Sequence, residues 1–175
     1  MKRNLVIRKN VKGDGNCQFR AVLNQIGYTN DDEHYVELRK RACGWLRNNK
    51  RFVLKGGQII SDCVDGDWFK YVKKMEKDAV WGTEITLIAL ANVLNITIEV
   101  IHTLHEGVLT YAPSVGVGVK KIYLFNYNNI HYVSLEPKVK SLREERATIR
   151  EKRKLDEIVD ILDGEEENQK KKKKF

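Results

Sequence analysis

Phe19, Val22, Leu23 and Ile26 fall at i, i+3, i+4 and i+7, which puts four apolar side chains on one helical face. The spacing predicts a helix that begins beside Cys17. A second helix is predicted over about His34 to Asn49, with Tyr35, Leu38, Ala42 and Trp45 along one side, and a third over Trp68 to Lys77. In TEITLIALANVL, Leu87, Leu90, Ala91 and Leu94 repeat with helical period behind Thr83, a suitable N-cap, and Glu84 complements the positive end of the helix dipole. From Ile96 the period changes to two. ITIEVIH alternates β-branched with polar residues, and KIYLFNY and HYVSL follow as further strands. Helices first and strands afterwards predict an α+β fold with helices packed on a small, largely antiparallel sheet.

From Glu136 onward the chain becomes almost continuously charged. The expected organisation is a domain over residues 1–136, a charged amphipathic helix over 137–164 and a disordered acidic and lysine-rich tail over 165–175. Leu155, Ile158, Val159 and Leu162 form that helix's apolar stripe, and Gly164 is placed to end it. Its basic residues come early and its acids late, against the macrodipole.

A length of 175 residues and 42% hydrophobic content suit one globular domain with an appendage. No stretch approaches the roughly 18 apolar residues of a membrane span, so a cytoplasmic or nuclear location without membrane contact is expected. Three widely spaced cysteines without CxxC pairing suggest neither disulfides nor a zinc site, in keeping with a reducing compartment. The net charge is +8. Basic residues outnumber acidic ones 19 to 13 over residues 1–135 and 13 to 11 over 136–175, so most of the excess belongs to the core. Neither KRNLVIRKNVK nor the terminal lysine run is interleaved with stacking aromatics, which argues against nucleic-acid binding as the main function.

Candidate chemistry concentrates in GDGNCQFRAV, which starts at Gly13. Asp14-Gly15 is a turn signal and Asn16 a strong N-cap residue, which leaves Cys17 in the first helical position. Unsatisfied backbone N–H groups there stabilise an anion, and thiols so placed can have pKa values lowered to roughly 3.5 to 7.5. A thiolate at neutral pH is the expectation. The glycine turn also lets the N–H groups of Gly15, Asn16 and Cys17 point at an oxyanion. Of four histidines, His34, His102 and His105 occupy positions more suited to solvated or structural roles. His131, where an Asn-rich loop enters the HYVSL strand, is the candidate base, and a base at a strand start opposite a thiol at a helix start is a workable pair. Cys43 and Cys63 are expected to be inert.

GDGNCQFRAV closely resembles the cysteine motif of the ovarian tumour (OTU) family of deubiquitinating cysteine proteases. WGTEITLIALANVLNITIEVI and IHYVSL resemble, in the right order, its central tryptophan-glycine block and its closing histidine motif, so that the likeness covers residues 10–135. It implies a papain-like fold with a central sheet sandwiched by helices, Cys17 as nucleophile, His131 as general base and Asp14 near the catalytic centre. Many members carry a polar residue two places after the histidine to orient it. Val133 stands there and cannot, so Asn129, or else Asp14, is expected to take that role. Thr83 and Thr86 replace a common glycine and glutamate at helix-start or surface-type positions, a change read as neutral.

The implied reaction is hydrolysis, through a Cys17 thioester, of the bond after the C-terminal glycine of ubiquitin, polyubiquitin or a ubiquitin-like modifier, without metal or cofactor. Trp81, Gly82 and Tyr132 are candidate walls of a narrow substrate groove, and a monomer is expected. The alternatives are a ubiquitin-binding module without useful catalysis and, behind it, a basic nucleic-acid-binding protein.

Overall fold

The computed structural model of the chain describes residues 4–104, 106–116, 118–138 and 150. The helix expected over 137–164 lies almost wholly outside the described residues, and His105 and the 165–175 tail lie wholly outside them. The chain divides into two units, Met1–Pro137 and Lys138–Phe175, and the elements described below all belong to the first.

Among the described residues there are four α-helices and five strands. The helices match the apolar periodicity: α1 (Cys17–Ile26), α2 (Asp31–Asn48), α3 (Trp68–Met75) and α4 (Glu84–Leu94). Five strands follow the order β1 (Leu5–Lys9), β2 (Ile96–His102), β3 (Val108–Tyr111), β4 (Lys120–Tyr127) and β5 (His131–Pro137) along the chain. They form one sheet in the spatial order β1-β5-β4-β2-β3. Three pairings are antiparallel, whereas β2 and β4 run parallel. A parallel pair needs a crossover of a dozen or more residues, and the segment 103–119, which includes β3, is long enough to supply it. The two edge strands β1 and β3 are short and half exposed, and they lack the buried residues that β2, β4 and β5 carry.

Every residue of α1 from Cys17 to Gln25 is buried, because the helix packs against β5 and β4 on one side and α2 on the other. Phe19 is fully buried at its centre, and Phe19→Ala would cost about 3 to 5 kcal/mol as a cavity. The helix ends at Gly27, whose φ of 107° is the left-handed conformation that glycine adopts without a steric penalty. Asn24 of α1 accepts a hydrogen bond from Ser134 Oγ of β5 at 2.7 Å, which fixes the helix over that strand. On the same side of the sheet, register places His102, Asn126 and Tyr132 side by side across β2, β4 and β5, all three buried. This polar row ends the sheet beside the N-terminus of α1.

Candidate active site

Cys17 is the first residue of α1 and is buried. The turn before it depends on Gly15. With φ at +82°, a Cβ there would stand 2.0 Å from the backbone oxygen of Ala79, so a side chain has neither an easy conformation nor room. Asp14 accepts the Asn16 N–H at 3.0 Å and two bonds from Arg20, at 2.8 Å from Nη2 and 3.4 Å from Nε. Arg20 is itself buried, pairs also with Asp32 and stacks 4.1 Å over the Tyr35 ring. Burial pushes the Asp14 carboxyl up, but Arg20 and the Asn16 N–H outweigh it and hold the group below the usual carboxylate range.

Asn16 precedes the helix without capping it through its side chain. Its amide donates to Asp78 Oδ1 at 3.1 Å and accepts from Arg39 Nη2 at 2.6 Å. The fully buried Arg39 of α2 also donates to Gly15 O, Met75 O and Val80 O at 3.2, 2.8 and 2.7 Å, and stacks 4.2 Å over Phe19. Two buried arginines therefore hold the cysteine turn. Neither was a sequence candidate, yet Arg39 falls four residues after Tyr35 and three before Ala42, on the buried stripe of α2, where a charge needs partners.

Burial pushes the Cys17 thiol up from its ordinary value. The N–H groups of Tyr132, Gln18 and Cys17 itself offset this in part, while the Asp14 charge adds to it. The expected lowering of the thiol's pKa is thus corrected: the helix start does supply N–H donors, but desolvation outweighs them. Of the three expected oxyanion donors, the Asn16 N–H is already engaged by Asp14, the Cys17 N–H lies at the sulfur, and Gly15 is held through its carbonyl.

His131 opens β5. Its Nε2 lies 2.8 Å from Asn10 Oδ1, and Nδ1 faces the cysteine turn, 3.7 Å from where a Cβ on Gly13 would stand. An amide oxygen only accepts, so Nε2 carries a proton toward Asn10 and Nδ1 is the nitrogen left toward the turn. The next residue, Tyr132, sends its N–H to the Cys17 sulfur. Thiol and imidazole are therefore flanked by the same two segments. The expectation that Asn129 or Asp14 orients His131 is corrected by these bonds. Asn129 Oδ1 lies 2.7 Å from His102 Nε2, because its backbone turns left-handed at φ 61° and sends the side chain back across the sheet end. Asp14 is held by Arg20. Asn10, 121 residues before the histidine, takes the orienting position, and no local motif marks it.

Trp81, Gly82 and Tyr132 meet around one cavity of about 270 Å³, together with Thr83 and Glu84 at the start of α4 and with His102 and Asn129. Trp81 is 54% exposed, so it belongs to a rim and not to the core. A Cβ on Gly82 would stand 2.2 Å from Gln18 Oε1, which makes this glycine a seat for the Gln18 amide as well as a wall. That buried amide donates to Thr83 O at 3.1 Å and accepts from Thr86 Oγ1 at 2.6 Å, and Thr86 Oγ1 accepts the Thr83 N–H at 2.8 Å. Thr86 is fully buried, so the surface-type reading of that position is corrected. The three described histidines divide sharply. His34 is exposed with its ring edge-on to Tyr28, His102 is buried on the cavity wall, and His131 stands at the cysteine turn. Burial pushes the Cys43 thiol up to about 11.

A thiol at a helix start and an imidazole at a strand start, joined over one glycine turn, form the layout of a cysteine hydrolase. The family profile described as OTU-like cysteine protease matches residues 12–136, and the chain belongs to that family. OTU domain-containing protein 5-A of Danio rerio is 31% identical over 134 residues, covering 77% of this chain and 22% of that protein. Ovarian tumor domain-containing deubiquitinating enzyme 9 of Arabidopsis thaliana is 26% identical over 133 residues, covering 75% of this chain and 36% of that protein. The chain thus spans well under half the length of these curated relatives. Among solved structures, the OTU domain of OTUD1 superposes with a TM-score of 0.62 at 19% identity, over 76% of this chain and 86% of that one. The Hazara virus OTU bound to ubiquitin does so with 0.60 at 13% identity, over 78% and 83%. These likenesses establish the α+β OTU fold.

Proposed function

We propose that the domain hydrolyses isopeptide bonds, and peptide bonds, after the C-terminal glycine of ubiquitin or a ubiquitin-like modifier. The observation that carries this reading is the His131 imidazole itself, its Nδ1 edge turned toward the Cys17 turn while Asn10 holds the other nitrogen. The Arabidopsis relative is named a deubiquitinating enzyme, and the Hazara virus domain was solved with ubiquitin. Both facts support the choice of substrate.

In this mechanism the Cys17 thiol and the His131 imidazole react as a pair. His131 Nδ1 removes the Cys17 proton as the sulfur attacks the acyl carbon, so that charge develops only on the way to the tetrahedral intermediate. The N–H groups converging on the sulfur lie close to the nascent oxyanion. The imidazolium then gives its proton to the departing lysine amine, and the same nitrogen deprotonates the water that cleaves the thioester. Trp81, Gly82 and Tyr132 flank a gap that suits a chain ending in two glycines. All these groups come from one chain, as a monomeric enzyme requires.

The test is to mix the protein with ubiquitin bearing a C-terminal electrophile and to weigh the product. The expected result is one covalent adduct on Cys17, absent in Cys17→Ala and strongly slowed in His131→Ala. A folded wild-type protein that stays unlabelled and cleaves no ubiquitin conjugate would overturn the proposal.

A further inference from the structure

His131 is delivered by the turn between β4 and β5, and that turn is built from two residues that side chains other than glycine seldom permit. Asn128 has φ 49° and Asn129 φ 61°, both left-handed, and Ile130 N–H closes the turn on Tyr127 O at 3.0 Å. Asparagine tolerates this region better than most residues, but two in succession need support from outside the turn.

That support comes from the end of β2. Thr103 Oγ1 accepts the Asn128 N–H and donates to Asn128 Oδ1, both at 2.7 Å, and the Thr103 N–H donates to Asn126 O at 3.2 Å. His102 Nε2 lies 2.7 Å from Asn129 Oδ1, while His102 Nδ1 accepts the Leu104 N–H at 2.9 Å. The second bond makes Nδ1 the acceptor and Nε2–H the donor, so the imidazole is oriented from both sides. Both left-handed residues are therefore gripped by the last residue of β2 and the one that follows it, and the catalytic candidate comes two positions later. Tyr132, whose N–H reaches Cys17, shares a cavity wall with His102 and Asn129.

We propose that His102 is a positioning residue: through Asn129 it fixes the turn that sets His131 against Cys17. The inference rests on the reading of Cys17 and His131 as nucleophile and base, and gives the second histidine a role apart from proton transfer. It predicts that the grip acts on kcat, because what it holds is the turn that carries His131; since His102 and Asn129 also line the cavity flanked by Trp81 and Tyr132, KM separates this role from a substrate contact.

The experiment compares wild type with His102→Leu, His102→Gln, Asn129→Gly and the double variant His102→Leu/Asn129→Gly. Hydrolysis of a ubiquitin C-terminal fluorogenic amide and alkylation of Cys17 by chloroacetamide are both measured, with melting temperature as the folding control. Asn129→Gly is informative because glycine keeps the left-handed backbone while deleting only the bond. Expected are a fall in kcat of about 10-fold for His102→Leu and for Asn129→Gly, KM within about 2-fold, and a double variant no slower than either single one. His102→Gln, which keeps a donor to Asn129, recovers most of the rate. Wild-type kcat in the single variants with only a lowered melting temperature would overturn the proposal, as would a rise in KM at constant kcat, which would make His102 a substrate contact. Failure of the underlying assignment looks different: Cys17 alkylation would then be indifferent to His131→Ala in the parent protein.

Discussion

Asn10 and His131 meet at 2.8 Å, Oδ1 to Nε2, across 121 residues of chain. The first lies just past β1 and the second opens β5, and these two strands pair antiparallel at the sheet edge. The pairing is what makes the contact: register sets Lys9 opposite Ser134, so the chain leaving β1 runs past the start of β5. Edge strand β1 therefore positions the proposed base as well as closing the sheet.

Removing that acceptor frees the imidazole to rotate and to take the other tautomer. Asn10→Ala should lower kcat for ubiquitin-amide hydrolysis by about 10- to 100-fold, or about 1.4 to 2.7 kcal/mol of transition-state stabilisation, with KM little changed. Asn10→Asp retains an acceptor at the same reach and should keep more activity than Asn10→Ala. Steady-state kinetics of the two variants decide the matter. Equal rates for Asn10→Ala and wild type would remove Asn10 from the site.

The Cys17 thiol makes a separate prediction. Because burial pushes Cys17 above its ordinary value, its reactivity toward a small alkylating agent should still be climbing at pH 8, following a thiolate fraction that rises with pH. The pH dependence of iodoacetamide labelling, followed by mass, measures this. A plateau already reached between about pH 5 and 7, as for thiols stored as ion pairs, would contradict the mechanism proposed for the pair.

Local periodicity was enough to read the helices, because their apolar side chains repeat with the period of the element, as in the spacing of Phe19, Val22 and Leu23 or of Leu87, Leu90 and Ala91. Strands β2, β4 and β5 were legible for the same reason. Cys17 and His131 stood out because a thiol behind a glycine turn and an imidazole entering an apolar strand are unusual in themselves. What stayed hidden is non-local. Asn10, Arg20, Arg39 and His102 act through partners that only the folded chain brings near, and nothing in their immediate neighbours distinguishes Asn10 from a solvated loop residue. The upward push on the thiol was missed for a related reason. The helix start was visible in sequence, but the depth of burial and the Asp14 charge that oppose it were not.

Asp14 now reads as the clasp of the cysteine turn, with a definite pH signature. Its folded pKa is lowered, so it contributes stability above the unfolded value of about 3.9, and that contribution is lost as pH falls through the folded value. Asp14→Asn should therefore be less stable than wild type at pH 7, by about 1 kcal/mol once the 37% exposure of the Asp14 side chain is allowed for. The difference should persist down to about pH 5 and close only once pH has fallen below both the unfolded and the lowered folded value. Urea unfolding of both proteins across that range measures it. A gap that widened toward acid would reverse the sign and discard the clasp.

Two glycines near the site should respond very differently to the same added methyl group. At Gly15 the Cβ would meet the Ala79 backbone at 2.0 Å with φ at +82°, so neither the obstacle nor the conformation can yield without moving the turn. At Gly82 the obstacle at 2.2 Å is the tip of the Gln18 side chain, with no left-handed backbone to strain. That tip can swing aside, but only by giving up its bonds to Thr83 and Thr86 in a buried site. Gly82→Ala should cost about 1 to 3 kcal/mol, the range for stranding buried polar groups. Gly15→Ala adds backbone strain to a clash with main chain and should cost about 3 kcal/mol or more. Chemical denaturation gives both values, and Gln18→Ala in the Gly82→Ala background separates the causes. With the amide gone, the added methyl finds space and the double variant should be no less stable than Gln18→Ala alone. A further loss on adding the methyl there would mean that the Gln18 amide is not what excludes a side chain at position 82.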